Sequence, residues 1–219
     1  MSDLLETIEI ETAPSPKAAI IWMHGLGADG HDFEPIVPEL GLPRAPAVRF
    51  VFPHAPVQPV TINGGARMRA WYDVTHDGRQ DAAGVRASQA RVEALVARER
   101  ARGVAARAIV LAGFSQGGAI ALHTGLRHAE RLAGILALST YLPLPDALEK
   151  EASTVNRDLP IFMAHGTQDP VIPLSWAGRS RDSLTSLGYP VEWHEYRMPH
   201  SVCAEEIADV GVWLARLLA

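Results

Sequence analysis

Cysteine and lysine are scarce in this 219-residue chain: it has one cysteine and two lysines. With Cys203 alone, no internal disulfide can form, so the fold must rest on its core. That suits a reducing compartment, and the expected location is cytoplasmic. Lys17 and Lys150 stand against 18 arginines. With the high alanine content, this reads as the mark of a GC-rich genome rather than of a binding surface. The net charge is −5 and the pI about 6.0. That balance argues against nucleic acid or an anionic membrane as the main partner. No apolar run approaches the roughly 20 residues that span a bilayer, so no integral membrane contact is expected. Met1–Glu6 has neither a basic start nor a continuous apolar stretch, unlike a secretory signal. Repeats, linkers and low-complexity tracts are also missing. The expectation is one domain over residues 1–219 without a separate cap domain.

Short apolar runs alternate with helical patterns. The runs are Ala18–Met23, Val48–Phe52, Arg107–Gly113, Leu132–Leu138, Pro160–Ala164 and Val191–Tyr196. Several are apolar almost throughout, as strands covered on both faces must be. Helices are expected over Asp81–Arg102, Ser115–His128, Ser175–Leu187 and Ser201–Leu218, with Gly103 capping the first. The alternation predicts an α/β fold with a mostly parallel sheet flanked by helices on both faces. Phe52–Gly84 and Thr140–Leu159 break the rhythm. Irregular insertions of this kind sit over the carboxyl ends of strands, where ligands bind.

Gly113-Phe114-Ser115-Gln116-Gly117 joins a strand-like run to a helix-like one. The pattern is Gly-x-Ser-x-Gly, the nucleophile elbow of α/β-hydrolases. A side chain at 113 or 117 would crowd neighbouring backbone, and Ser115 must adopt a strained conformation that lifts its Oγ clear of the sheet.

A serine hydroxyl needs a base within reach, and the base needs an orienting group. In this fold they follow as Ser, acid, His. Asp169 lies just past the Pro160–Ala164 run, kept out of a helix by Pro170; a plain turn aspartate is the competing reading. His200 is the one histidine downstream of that acid on a loop after a strand. His76, His123 and His128 read as solvated, and His194 as packed. His24 and His165 read as structural groups around the site. Gln116 supplies one backbone N–H for an oxyanion, and Leu26, in His24-Gly25-Leu26-Gly27-Ala28-Asp29-Gly30, is the candidate for the second. Gly25-x-Gly27-x-x-Gly30 formally matches a dinucleotide loop. Yet no acidic ribose partner stands about 20 residues on, where Arg44-Ala45-Pro46 occurs.

Together these motifs resemble the phospholipase/carboxylesterase family, which includes acyl-protein thioesterases and small bacterial carboxylesterases. Pro56–Gly65, Trp71-Tyr72-Asp73 and Leu138-Ser139-Thr140-Tyr141 look most like the bacterial carboxylesterase II branch. The resemblance spans nearly the whole chain. It implies a serine hydrolase of carboxylic esters, with thioesters as a further substrate class, and with no metal or organic cofactor; the expected acyl chains are short to medium. It further implies Leu26 and Gln116 as the oxyanion hole. Pro199, directly before His200, departs slightly from the pattern and should stiffen that loop.

Substrate choice rests on the loops. Trp71, Met68, Leu26, Val171 and Ile172 could line an acyl pocket; equally, Trp71 could anchor its loop to the core. Asn63–Asp73 is a candidate flap. Acyl-protein thioesterase and lysophospholipase activities are the near alternatives, and a non-catalytic ligand-binding homologue the distant one. A dienelactone-hydrolase type would carry cysteine at the elbow, whereas Cys203 is expected on the last helix as a packed small residue. A homodimer is plausible on the resemblance, through apolar residues of Thr140–Leu144 if exposed.

Overall fold

The fold is built on a seven-stranded sheet in the order β1-β3-β2-β6-β7-β8-β9. Its strands are β1 (Thr7–Glu11), β2 (Ala18–Met23), β3 (Val48–Pro53), β6 (Ile109–Phe114), β7 (Gly134–Leu138), β8 (Ile161–Gly166) and β9 (Val191–Tyr196). All neighbours run parallel except β1, which pairs antiparallel with β3 at one edge. The computed structural model describes residues 4–42 and 46–219. Met1–Asp3 and Arg44-Ala45, used above against a signal and a ribose site, lie outside them.

Alternation along β2 explains the two core layers. Ala19, Ile21 and Met23 face one side, with Val85, Val92 and Leu95 of α1 (Ala82–Ala101), Ile120 of α2 (Gln116–Gly125) and Leu184 of α4 (Leu174–Ser186). Ala18, Ile20 and Trp22 face the other, against Ile207, Val210 and Trp213 of α5 (Ala204–Leu218). A strand buried on both faces needs apolar residues at every position, and all six residues of β2 are buried. The helix boundaries follow local chemistry. Asp81 caps α1 by accepting from Gly84 N, a contact of the kind worth about 1 kcal/mol. Gly103, at φ 92°, takes the left-handed turn beyond its end.

Several expectations need correction. β1 was not anticipated; its TIEIE pattern half-buries Ile8 and Ile10 and leaves Glu9 and Glu11 exposed at the sheet edge. The long irregular region contains a two-stranded ribbon, β4 (Val57–Val60) with β5 (Ala66–Arg69). The second contains α3 (Pro145–Glu151). Strand β7 starts at Gly134 rather than Leu132, and β6 at Ile109, because Ala106–Ala108 forms one short turn of helix. His123 and His128 are buried, not solvated, since every residue of α2 is buried and His128 contacts Glu93 at 2.6 Å. Cys203 precedes α5 instead of lying on it. Thr140 and Leu142 are buried, so Thr140–Leu144 does not offer the exposed apolar face imagined for a dimer. No helix among the described residues is long and apolar enough to cross a membrane.

The topology places the site. The chain leaves β2 for β3 on one side and later adds β6 on the other. The strand order therefore reverses at the β2/β6 seam, and crevices form outside carboxyl ends at such points. In register, Met23 lies opposite Gly113. The loops after β2 and β6 are thereby side by side.

Candidate active site

Ser115 occupies the turn between β6 and α2 at φ 54°, ψ −119°. This region is costly for a residue with a Cβ, by about 1–3 kcal/mol, and persists only where surroundings impose it. They do so here. Ser115 N donates to Leu138 O at 2.9 Å, and Thr140 Oγ1 donates to Ser115 O at 2.7 Å. A Cβ on Gly113 would fall 2.2 Å from Gly117 C, and one on Gly117 would fall 2.1 Å from Met23 O. Both glycines are thus required by close backbone approach, as the sequence led us to expect.

Asp169 follows β8 and His200 follows β9. His200 Nδ1 and Asp169 Oδ2 are 2.6 Å apart. The other carboxylate oxygen accepts from Val171 N at 2.8 Å and Ile172 N at 2.9 Å. The Asp169 side chain is fully buried. Burial pushes its pKa up, but His200 and the two amides outweigh burial and hold the carboxyl below its usual range. His165 Nε2 donates to Ile172 O at 2.8 Å and lies 3.3 Å from Asp169 Oδ2. Burial lowers its pKa, which keeps that ring neutral. Gly166 has to be glycine: its Cβ would sit 2.4 Å from Met198 O and 2.5 Å from Pro199 O. That close approach carries the His200 loop against the Asp169 loop.

Leu26 and Gln116 flank Ser115. Among the described residues neither backbone N–H has an internal acceptor, while Gly27 N donates to Arg69 O at 2.9 Å. His24 shapes this loop. Its Nε2 accepts from Ala55 N at 3.0 Å, which leaves Nδ1 to donate to Gly25 O at 2.6 Å. Burial pushes its pKa down to about 4, so the ring is neutral.

Ser115, Gln116, Leu26 and His200 all line one cavity of about 960 Å³. Val171 and Ile172 line it too. Met68 and Trp71 do not. Trp71 is fully buried, and its indole N–H donates to His24 O at 2.8 Å. The Gln116 side chain accepts from Trp71 N at 3.1 Å and donates to Tyr72 O at 2.9 Å. Of the two readings of Trp71, the anchor is the one realised. Its burial also fixes one end of the candidate flap: Ala70–Tyr72 is buried, while residues 63–67 are exposed. Sequence reading missed Thr140, Trp176 and the Tyr72–Tyr141 pair, all close to the site or lining the cavity. The strand end at Leu138 was the available signal for Thr140 and Tyr141. Among the described residues, no group of three or more His, Cys, Asp or Glu side chains could hold a metal ion.

The phospholipase/carboxylesterase family model matches residues 6–218. An acyl-protein thioesterase 1 from Yarrowia lipolytica is 39% identical over 215 residues, covering 94% of this chain and 95% of that protein. The solved structure of acyl-protein thioesterase 2 from Zea mays superposes with a TM-score of 0.85 at 29% identity, over 98% of this chain and 99% of that one. That of the esterase PE8 gives a TM-score of 0.85 at 26% identity, over 98% and 100%. The two thioesterases are eukaryotic, so they lend no support to the bacterial branch that the motifs suggested. With a family match over nearly its whole length and the elbow geometry around Ser115, the chain belongs to the phospholipase/carboxylesterase family of α/β-hydrolases.

Proposed function

We propose that this protein is a serine acyl hydrolase that cleaves carboxylic esters and thioesters through an acyl-Ser115 intermediate. One observation carries the reading. The strained Ser115 elbow opens on the same cavity as His200, whose Nδ1 is held 2.6 Å from the buried Asp169 carboxylate.

In the first half-reaction Ser115 Oγ attacks the acyl carbonyl carbon and His200 Nε2 takes its proton. Asp169 fixes the tautomer that leaves Nε2 free and stabilises the imidazolium. The Leu26 and Gln116 N–H groups receive the oxyanion, where preset donors are worth about 3 kcal/mol each. Collapse breaks the bond to the alcohol or thiol, which leaves with the proton from His200. In the second half-reaction His200 Nε2 deprotonates a water that attacks the acyl carbon; collapse breaks the bond to Ser115 Oγ, which takes the proton back from His200, and the carboxylic acid leaves. No metal or organic cofactor enters these steps.

Leu26, Leu142, Val171, Ile172 and Trp176 give the cavity apolar walls, suited to a short- to medium-chain acyl group. The thioester reading has its own support in the acyl-protein thioesterase from Yarrowia lipolytica. Thioester and ester differ in leaving group, not in the groups required of the enzyme. The deciding experiment measures kcat/KM over p-nitrophenyl esters of increasing chain length beside an acyl thioester of matched chain, with a fluorophosphonate inhibitor as control. Inhibitor-sensitive turnover is expected. Turnover that survives labelling of Ser115 would contradict the reading.

A further inference from the structure

The Tyr72 and Tyr141 hydroxyls lie 2.9 Å apart, and both residues line the cavity that contains Ser115. Phenylalanine would give the same walls without a polar cost. Two phenols carry two protons, and their mutual hydrogen bond uses one. Among the described residues neither hydroxyl has another partner. One O–H donor is therefore left over in a cavity whose lining includes the apolar Leu142, Ile172 and Trp176 beside polar groups such as Gln80 and Arg179.

Exposure tells which hydroxyl holds it. Tyr72 is 3% exposed, with its backbone tied to Gln116, whereas Tyr141 is only partly buried. Tyr141 is also held edge-on to Trp176, ring centroids 6.1 Å apart. With the deep phenol as donor to the shallow one, the Tyr141 O–H is the proton left for the groove; the geometry allows either oxygen to donate. Burial raises the pKa of both, so both stay protonated through the neutral range.

We infer that Tyr141, set by Tyr72, is a specificity-determining residue that donates a hydrogen bond to an uncharged oxygen in the substrate away from the scissile carbonyl. That oxygen is an ether, hydroxyl, keto or amide oxygen. It could belong to the acyl chain or to the alcohol portion; the chemistry is the same. A site built to pair a substrate oxygen disfavours the analogue lacking it, because its own donor is then buried unpaired. This inference rests on the acyl-Ser115 reading above.

The test compares kcat/KM for matched pairs. In the acyl arm, p-nitrophenyl hexanoate is set against congeners with one chain methylene replaced by an ether oxygen. In the alcohol arm, butyl hexanoate is set against 2-methoxyethyl hexanoate. In one arm, the wild-type enzyme should prefer the oxygen-bearing member by roughly five- to tenfold. Tyr141→Phe should bring that ratio close to one, and Tyr72→Phe should lower it by less. Should Tyr141→Phe not fold, a ratio unchanged by Tyr72→Phe contradicts the inference. So does a wild-type ratio near one in both arms, or a preference that survives Tyr141→Phe. Turnover of all these esters without oxygen preference would sink this inference alone. No turnover of any ester, with Ser115 unlabelled by fluorophosphonate, would sink the hydrolase reading as well.

Discussion

Asp169 divides its carboxylate: Oδ2 meets His200 Nδ1 at 2.6 Å, and Oδ1 takes the amides of Val171 and Ile172. The two oxygens therefore have separable tasks, one orienting the imidazole and one closing the loop. Asp169→Asn keeps an oxygen for the loop amides but presents NH₂ to His200. It forces the wrong tautomer. We expect kcat to fall by roughly 10⁴ while the thermal midpoint moves little. A large loss of stability with modest loss of kcat would show that the residue serves mainly the loop.

Ser115 sits at φ 54°, ψ −119°. Both Ser115→Ala and Ser115→Gly remove the nucleophile, and each should lower kcat by about 10⁵–10⁶. They should part company in stability. Glycine relieves the strain and alanine does not, so the glycine variant should be about 1 kcal/mol more stable in urea. Equal stability would mean that the turn is not strained.

Gly166 lets the His200 loop pass against the end of β8. Gly166→Ala must push Met198 and Pro199 away, and a displacement near 1 Å should reduce kcat/KM by about 10²-fold. Gly178 in α4 makes the control: a Cβ there meets nothing within 4 Å. Gly178→Ala should add about 1 kcal/mol of helix stability with kcat/KM unaltered. A Gly166→Ala enzyme with full activity would remove the packing argument.

Trp71 is an anchor held by its indole N–H on His24 O. Trp71→Phe keeps most of the bulk but leaves that carbonyl unpaired. It should cost about 1–2 kcal/mol of stability and leave the acyl-chain-length profile unchanged. A shifted profile would return Trp71 to the substrate site.

Stability should decline on both sides of neutrality. Burial raises Glu206 to about 8 in the folded protein, above its ordinary value of 4.5. The folded state thus holds a proton that the unfolded state has released. The stabilisation is complete below about 4.5 and is lost as pH rises to about 8. Burial lowers His24 and His123 to about 4, so they contribute the opposite way: stability falls as pH drops from 6.5 toward 4. Glu206→Gln should remove the fall of the thermal midpoint between about 6.5 and 8 and steepen its rise between about 4.5 and 6.5, where Glu206 opposes the two histidines. An unchanged alkaline slope would contradict this assignment.

Sequence reading succeeded where one physical demand was strong. A continuous apolar run located β2 to the residue, because a strand covered on both faces tolerates little else; β9 was legible to the residue too, although it is a half-exposed edge strand, Val-Glu-Trp-His-Glu-Tyr. Asp169 and His200 were legible from chain order and strand ends. The β4–β5 ribbon was not: it is short, and Pro59, Arg67 and Arg69 dilute any alternation. α3 begins at a proline and is polar, so it resembled loop. His123 looked solvated because nothing local reveals that α2 is enclosed on all sides. Met68 was offered as a pocket residue, and Trp71 equally as a pocket residue or an anchor; the fold turns Trp71 inward onto His24. Burial of this kind depends on long-range packing, which no local pattern carries.

The central claim is that Ser115 becomes acylated. Its most direct test is intact-mass and peptide mapping after reaction with a fluorophosphonate, and after rapid acid quench during turnover of a p-nitrophenyl ester. The account predicts one adduct per chain, on the peptide containing Ser115, and an acyl mass on the same serine in the quenched sample. Adducts absent from Ser115 while the ester is still turned over would contradict it.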